Sequence, residues 1–117
     1  MKAKINWIDG AMFKGESGSG HTVLMDGPET AGGQNKGIRP MEMLLLGIGG
    51  CASFDVISIL QKSRQDVSDC YTEIEATRAE AIPAVFEKIH ILFTVSGSNL
   101  DESRVKRAVA LSAEKYC

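Results

Sequence analysis

The stretch from Arg39 to Lys62, "RPMEMLLLGIGGCASFDVISILQK", constrains this chain more than any other. Pro40 suits the first position of a helix, because its missing N–H would have had no partner there. From Pro40 to about Lys62 the pattern is helical, and at ~1.5 Å per residue such a helix is about 34 Å long, enough to span a small domain. A chain of 117 residues with 44% hydrophobic content is expected to form one domain, residues 1–117, around that central helix. Gly47, Gly49 and Gly50 each cost about 1 kcal/mol in a helix relative to Ala. Their clustering before Cys51 predicts the close approach of another backbone, such as a helix of a second subunit; the alternative is a local loosening or kink.

The chain opens with β-structure. Between Lys2 and Asp9, Ala3, Ile5 and Trp7 alternate with Lys4, Asn6 and Ile8, the period-two pattern of a strand with one better-buried face. A second strand is expected near Met12 to Glu16. After the "ESGSG" turn, His21, Val23 and Met25 alternate with Thr22, Leu24 and Asp26 as a third antiparallel strand. "GPETAGGQNKG" is Gly-rich and polar, and is expected to be a mobile surface loop. Beyond the central helix, "CYTEIEATRAEAI" places Cys70, Thr72, Ile74 and Ala76 on one strand face, opposite Tyr71, Glu73, Glu75 and Thr77. "VFEKIHILFTVSG" continues the alternation as the second strand of a hairpin. Asn99 or Asp101 is placed to cap a last helix from Glu102 to about Cys117, with Val105, Val109, Ala113 and Cys117 as its buried stripe. The order implies an α+β arrangement. A chain ending on the last turn of a helix leaves carbonyls uncapped, so a short further segment is expected beyond Cys117.

Charge and composition exclude several roles. The formal net charge is −2 and the basic residues are scattered, so no electrostatic footprint for nucleic acid or an anionic membrane is present. "MKAKINWIDG" turns polar too soon for a signal peptide, and the apolar run Met43 to Ala52 is shorter than a membrane span. The expectation is a cytoplasmic protein. In that reducing compartment three cysteines point to transient redox chemistry rather than a structural disulfide framework. Cys70 is expected to pack in the core. His90 stands alone on the polar strand face, with no other ligand at metal spacing, so neither metal nor cofactor is expected.

With "RPMEMLLLGIGGCASFDV" and "LSAEKYC" in view, the chain resembles the OsmC and organic hydroperoxide resistance family, closest to its short OsmC-like branch of unassigned function. The likeness covers nearly the whole chain. It implies an OsmC-like α+β fold, with antiparallel sheet strands packed on a long central helix, in an intertwined homodimer. It further implies a stress-response thiol peroxidase that carries a peroxidatic cysteine in the central helix and a resolving cysteine in the later one. By position these are Cys51 and Cys117.

The implied reaction is attack of a Cys51 thiolate on the O–O bond of an organic hydroperoxide, giving an alcohol and a sulfenic acid that condenses with Cys117 to a disulfide. A dithiol reductant resets the pair. Desolvation among Leu, Ile and Gly works against a thiolate, so a cation or hydrogen-bond donor must compensate. Family members use an arginine from the N-terminal sheet and a glutamate early in the helix. Here the family's "NPEE" is "RPME": Met41 replaces the first glutamate, Glu42 matches the second, and no arginine precedes Arg39. Arg39 and Glu42 are the candidate substitutes; the alternatives are a solvated loop charge and a first-turn carboxylate favoured by the helix dipole. Glu42 lies nine residues before Cys51, about 180° around an ideal helix, so the two meet only through a kink or across a dimer. Asp55, one turn after Cys51, would disfavour a neighbouring thiolate when ionised. The apolar side chains of Leu45, Ile48 and Phe54 favour a greasy peroxide over hydrogen peroxide. The competing reading is a relative without peroxidase activity that binds a small apolar or thiol-reactive ligand in a groove at the dimer junction.

Overall fold

Gly10 sits in the left-handed region, with φ at 51°, and turns the first strand back on the second in a computed structural model of the chain. That structure describes the backbone of residues 1–116 and the side chains of residues 1–114. The chain divides into two units, Met1–Leu44 and Leu45–Cys117.

In the first unit, β1 (Ala3–Asp9), β2 (Met12–Ser17) and β3 (Thr22–Met25) form an antiparallel meander in the order β1-β2-β3. Trp7 pairs with Phe13, and the Trp7 indole N–H donates to the Gly10 carbonyl at 2.9 Å, clamping the turn. The expected burial of Ile5 and Trp7 does not hold: both are exposed, Trp7 at 67%. Strand alternation says which residues share a face, and says nothing about whether a second layer covers it.

The Gly-rich segment is built rather than loose. Asp26 is buried, and its carboxylate accepts the backbone N–H groups of Gly27 (2.7 Å), Gln34 (3.0 Å) and Lys36 (3.2 Å). A Cβ added at Gly33 would strike the Gly27 carbonyl, so glycine there permits close backbone approach rather than mobility. The segment then runs along β3, where Ile38 donates to Leu24 and accepts from Asp26, each at 3.1 Å, and delivers the chain to α1 (Pro40–Lys62).

Burial raises the Asp26 carboxyl, but the three amide donors and the charge of Arg39 outweigh it and hold the group below its ordinary value of 3.8. A depressed folded-state value means that this carboxylate stabilises the loop above about pH 4 and is lost as the pH falls through its folded-state value. In an NMR titration the amide signals of Gly27, Gln34 and Lys36 are therefore expected to move together, with a shared midpoint below 3.8. Independent or absent titration would remove this account of the loop.

The second unit carries the rest of α1, β4 (Asp66–Arg78), β5 (Phe86–Ser98) and α2 (Glu102–Leu111), followed by a π-helical turn, Ser112–Tyr116. The strands form an antiparallel hairpin in which Ile74 pairs with Ile91 and Glu75 with His90. β4 starts before the expected Cys70. Val67 and Cys70 are both half-buried although three residues apart, because the register shifts between Val67 and Asp69. That bulge breaks the period-two pattern that would have announced the strand. Val56, Leu60 and Ala108 are fully buried, and Val67, Phe93, Val95, Val105 and Val109 pack against them, so sheet and helices share one core.

α1 ends where Arg64 takes the left-handed conformation, with φ at 60°. Gln65 N–H bonds the Leu60 carbonyl and Arg64 N–H the Gln61 carbonyl, the paired bonds of a Schellman cap. α2 starts at Asp101, whose carboxylate accepts Ser103 N–H at 3.0 Å, so Asp101 rather than Asn99 is the cap.

The buried stripe of α2 differs from expectation. Ala108 and Ser112 are buried and Ala113 is exposed. A strict four-residue spacing drifts about 40° per step around a helix of 3.6 residues per turn, and this carries position 113 off the face. Cys117, the stripe's expected last member, lies outside the described residues.

Candidate functional site

The buried residues of α1 are Gly49, Ala52, Val56 and Leu60. At about 100° per residue, Cys51 falls roughly 200° from Gly49, on the opposite face. Its side chain is exposed and its thiol is free. Cys51 is therefore not a core residue of its own chain. Gly47 and Gly50 share this outer face, and among the described residues a Cβ added at either would meet nothing within 4 Å. Phe54 stands one turn on, 74% exposed. Among the described residues, only Gly49 of the three clustered glycines is closely approached, by Ile74 Cδ1 from β4. The two open glycines, the thiol and Phe54 form a shallow apolar surface around a sulfur atom.

Ser53, beside this surface, shares a 2.6 Å hydrogen bond with Thr72 and ties α1 to β4. A groove of about 410 Å³ runs between the two elements, lined by Gly50, Ser53, Phe54, Ile57 and Cys70 among others. Cys70 is half-buried there, and burial pushes its thiol up, with Asp69 adding to the shift and Thr72 opposing it. A raised thiol leaves Cys70 little thiolate for nucleophilic attack. Asp55 Oδ2 is buried and has no hydrogen-bond partner among the described residues.

Arg39 and Glu42 come together in the first unit. Glu42 Oε1 accepts the Arg39 backbone N–H at 2.9 Å, the backward half of a capping box at the start of α1. Arg39 Nη1–H donates to the Gly37 carbonyl at 3.3 Å, and its charge helps to lower Asp26. Glu42 thus serves the helix start, while Arg39 is joined to the loop that Asp26 organises. Asp26 is the residue that sequence reasoning passed over. Its signal was an Asp directly before Gly-Pro, the kind of side chain that hydrogen-bonds backbone two residues on and shapes a turn.

His90 is exposed across from Glu75. Among the described residues no three His, Cys, Asp or Glu side chains converge as a metal site. Taken whole rather than from Met43 to Ala52, α1 is long and apolar enough to cross a membrane by length and composition alone. Its buried face, packed into the core of the second unit, and its mid-helix Asp55 are features of a central helix of a folded unit.

The family profile described as OsmC-like protein matches residues 33–117. This chain belongs to the OsmC-like protein family. The OsmC-like chain is 49% identical over 117 residues to Protein YhfA of Escherichia coli K12, a match spanning all of this chain and 84% of YhfA. A hypothetical protein from Aquifex aeolicus VF5 is 34% identical and superposes with a TM-score of 0.85 over 99% of this chain and 80% of that one. An organic hydroperoxide resistance protein OsmC from Legionella pneumophila, 16% identical, superposes with a TM-score of 0.69 over 98% and 82% of the two chains. At that identity the likeness speaks for the fold alone. The resemblance read from the two cysteine motifs and the α+β architecture is thereby shown.

Proposed function

We propose that this OsmC-like protein is a thiol peroxidase that reduces organic hydroperoxides in the cytoplasm, working as a homodimer. The observation that carries the reading is the placement of Cys51: exposed, on a helix face of glycines and apolar side chains, where a greasy peroxide can reach the sulfur. The thiolate attacks the distal peroxide oxygen and the O–O bond breaks. Sulfur takes up one oxygen as sulfenic acid, and the alkoxide leaves as the alcohol with a proton. Cys117 then displaces water to give the Cys51–Cys117 disulfide, which a dithiol reductant opens by exchange.

Dimerisation is supported by the apolar surface the chain leaves open, including Ile5, Trp7, Leu46 and Phe54, and by the two open glycines beside Cys51. In a dimer, Arg39 of one copy supplies the cation for the thiolate of the other, with Glu42 fixing the helix start that carries it. A monomer in analytical ultracentrifugation would remove the dimer from this reading.

The direct test is stopped-flow consumption of cumene hydroperoxide by the fully reduced protein. Oxidation far faster than that of a free thiol, with sulfenic acid accumulating in Cys117→Ser, is the expected result. A rate no faster than a free thiol would overturn the peroxidase. Two observations favour a second reading, a ligand-binding relative without peroxidase activity: Met41 stands in place of the family's first glutamate, and Glu42 is engaged in capping. That protein would bind a small apolar molecule in the groove beside Gly50 and Phe54, and would show no peroxide-dependent sulfenic acid.

A further inference from the structure

The buried hydroxyl of Ser112 donates to the carbonyl oxygen of Ala52 at 3.1 Å. Ala52 directly follows Cys51, and its carbonyl already has a place in the helix ladder, so Ser112 takes up its second lone pair. The two helices run in opposite directions here: Ala108 shares a core with Val56 and Leu60, while Ser112 reaches back to Ala52. Ser112 also marks a change in the chain. The α-helix ends at Leu111, and the next five residues wind as a π-helix, a rarer form often found at functional sites. The segment that leads to the second cysteine therefore starts from a hydrogen bond made one residue away from the first.

We propose that Ser112 is the positioning residue for closure of the disulfide between Cys51 and Cys117. The proposal deepens the peroxidase reading and takes the cysteine pairing from it. Five residues of chain reach at most about 17 Å, so an origin fixed at Ala52 confines the second thiol to a small volume around Cys51 and raises its effective concentration. Without the bond, the end of the helix is released from α1 and that volume grows. In the closing step the Cys117 sulfur attacks the sulfur of the Cys51 sulfenic acid. The S–O bond breaks, the S–S bond forms, and oxygen leaves as water with the thiol proton. Ser112 takes no part in bond making; it sets where the attacking thiol begins.

The test compares wild type with Ser112→Ala, Ser112→Thr and Ser112→Val. Thr and Val have the same shape and differ by the hydroxyl, so the series stays decisive if the Ala variant fails to fold. Disulfide closure is followed with diamide, which takes up two electrons and two protons, and in parallel with cumene hydroperoxide. The expected result is closure slowed about tenfold in Ala and Val, matching the loss of one hydrogen bond, with Thr near wild type. The rate at which cumene hydroperoxide oxidises Cys51, the step before closure, is expected to be unchanged, while dimedone traps more of the longer-lived sulfenic acid in Ala and Val than in wild type and Thr.

Equal closure rates in all four proteins would overturn the proposal, as would a wild type that forms no disulfide with diamide. A wild type that closes with diamide and ignores cumene hydroperoxide would end the peroxidase reading, and the diamide rates of the same series would still decide the role of Ser112.

Discussion

Cys51→Ser is expected to bring cumene hydroperoxide consumption down to the protein-free rate, a loss of roughly three orders of magnitude or more, as when other enzymes lose their nucleophile. A serine hydroxyl is not ionised near neutral pH, and its oxygen cannot accept the peroxide oxygen as a thiolate sulfur does. Cys70→Ser is the internal comparison. Cys70 is half-buried and its thiol is pushed up by desolvation, so it contributes little thiolate, and its removal is expected to leave the rate within about twofold. Loss of activity in Cys70→Ser, with Cys51→Ser still active, would move the chemistry to the groove beside β4 and overturn the assignment of Cys51. The contrast is informative because the two thiols differ in exposure, and Cys70 lines the groove beside Gly50 and Phe54.

What the sequence made legible follows from local rules. The bounds of α1, Pro40–Lys62, agree with expectation because a proline that suits a first turn and a polar end at Lys62 bracket an apolar run. The inward face of β4, with Cys70, Thr72, Ile74 and Ala76 half-buried, agrees because alternation is a property of the strand itself. The failures are those in which a distant atom decides. Nothing local announces that Asp26 would collect the amides of Gln34 and Lys36, eight and ten residues away, so a closed loop read as a mobile one. Periodicity found the α2 stripe but not its drift onto Ser112, and an apolar neighbourhood in sequence did not reveal that Cys51 faces outward. Arg39 and Glu42 were chosen as charged residues near the helix start. The structure adds that they are bound to each other and to the loop, which their spacing alone left open.

Leu60→Ala is expected to lower stability by about 2–5 kcal/mol, through lost transfer energy and the cavity that remains. Leu60 is fully buried and shares its core with Val56 and Ala108, where α1, the hairpin and α2 all contribute side chains, so no single element can collapse into the gap. Against a total of roughly 5–15 kcal/mol, that is a large share, and it corresponds to a fall in melting temperature of about 10–20 °C. A midpoint within about 2 °C of wild type would mean that this cluster is not the core. Phe54→Ala, on the same helix, extends the measurement to the open face. Phe54 is 74% exposed, so in a lone chain its truncation should cost no more than about 0.5 kcal/mol. A loss approaching that of Leu60→Ala, growing as protein concentration is raised and shrinking on dilution, is expected if a second copy covers the face that carries Cys51, because mass action then makes stability depend on assembly. A small loss, the same at every concentration, would leave that face uncovered and Cys51 open in the lone chain.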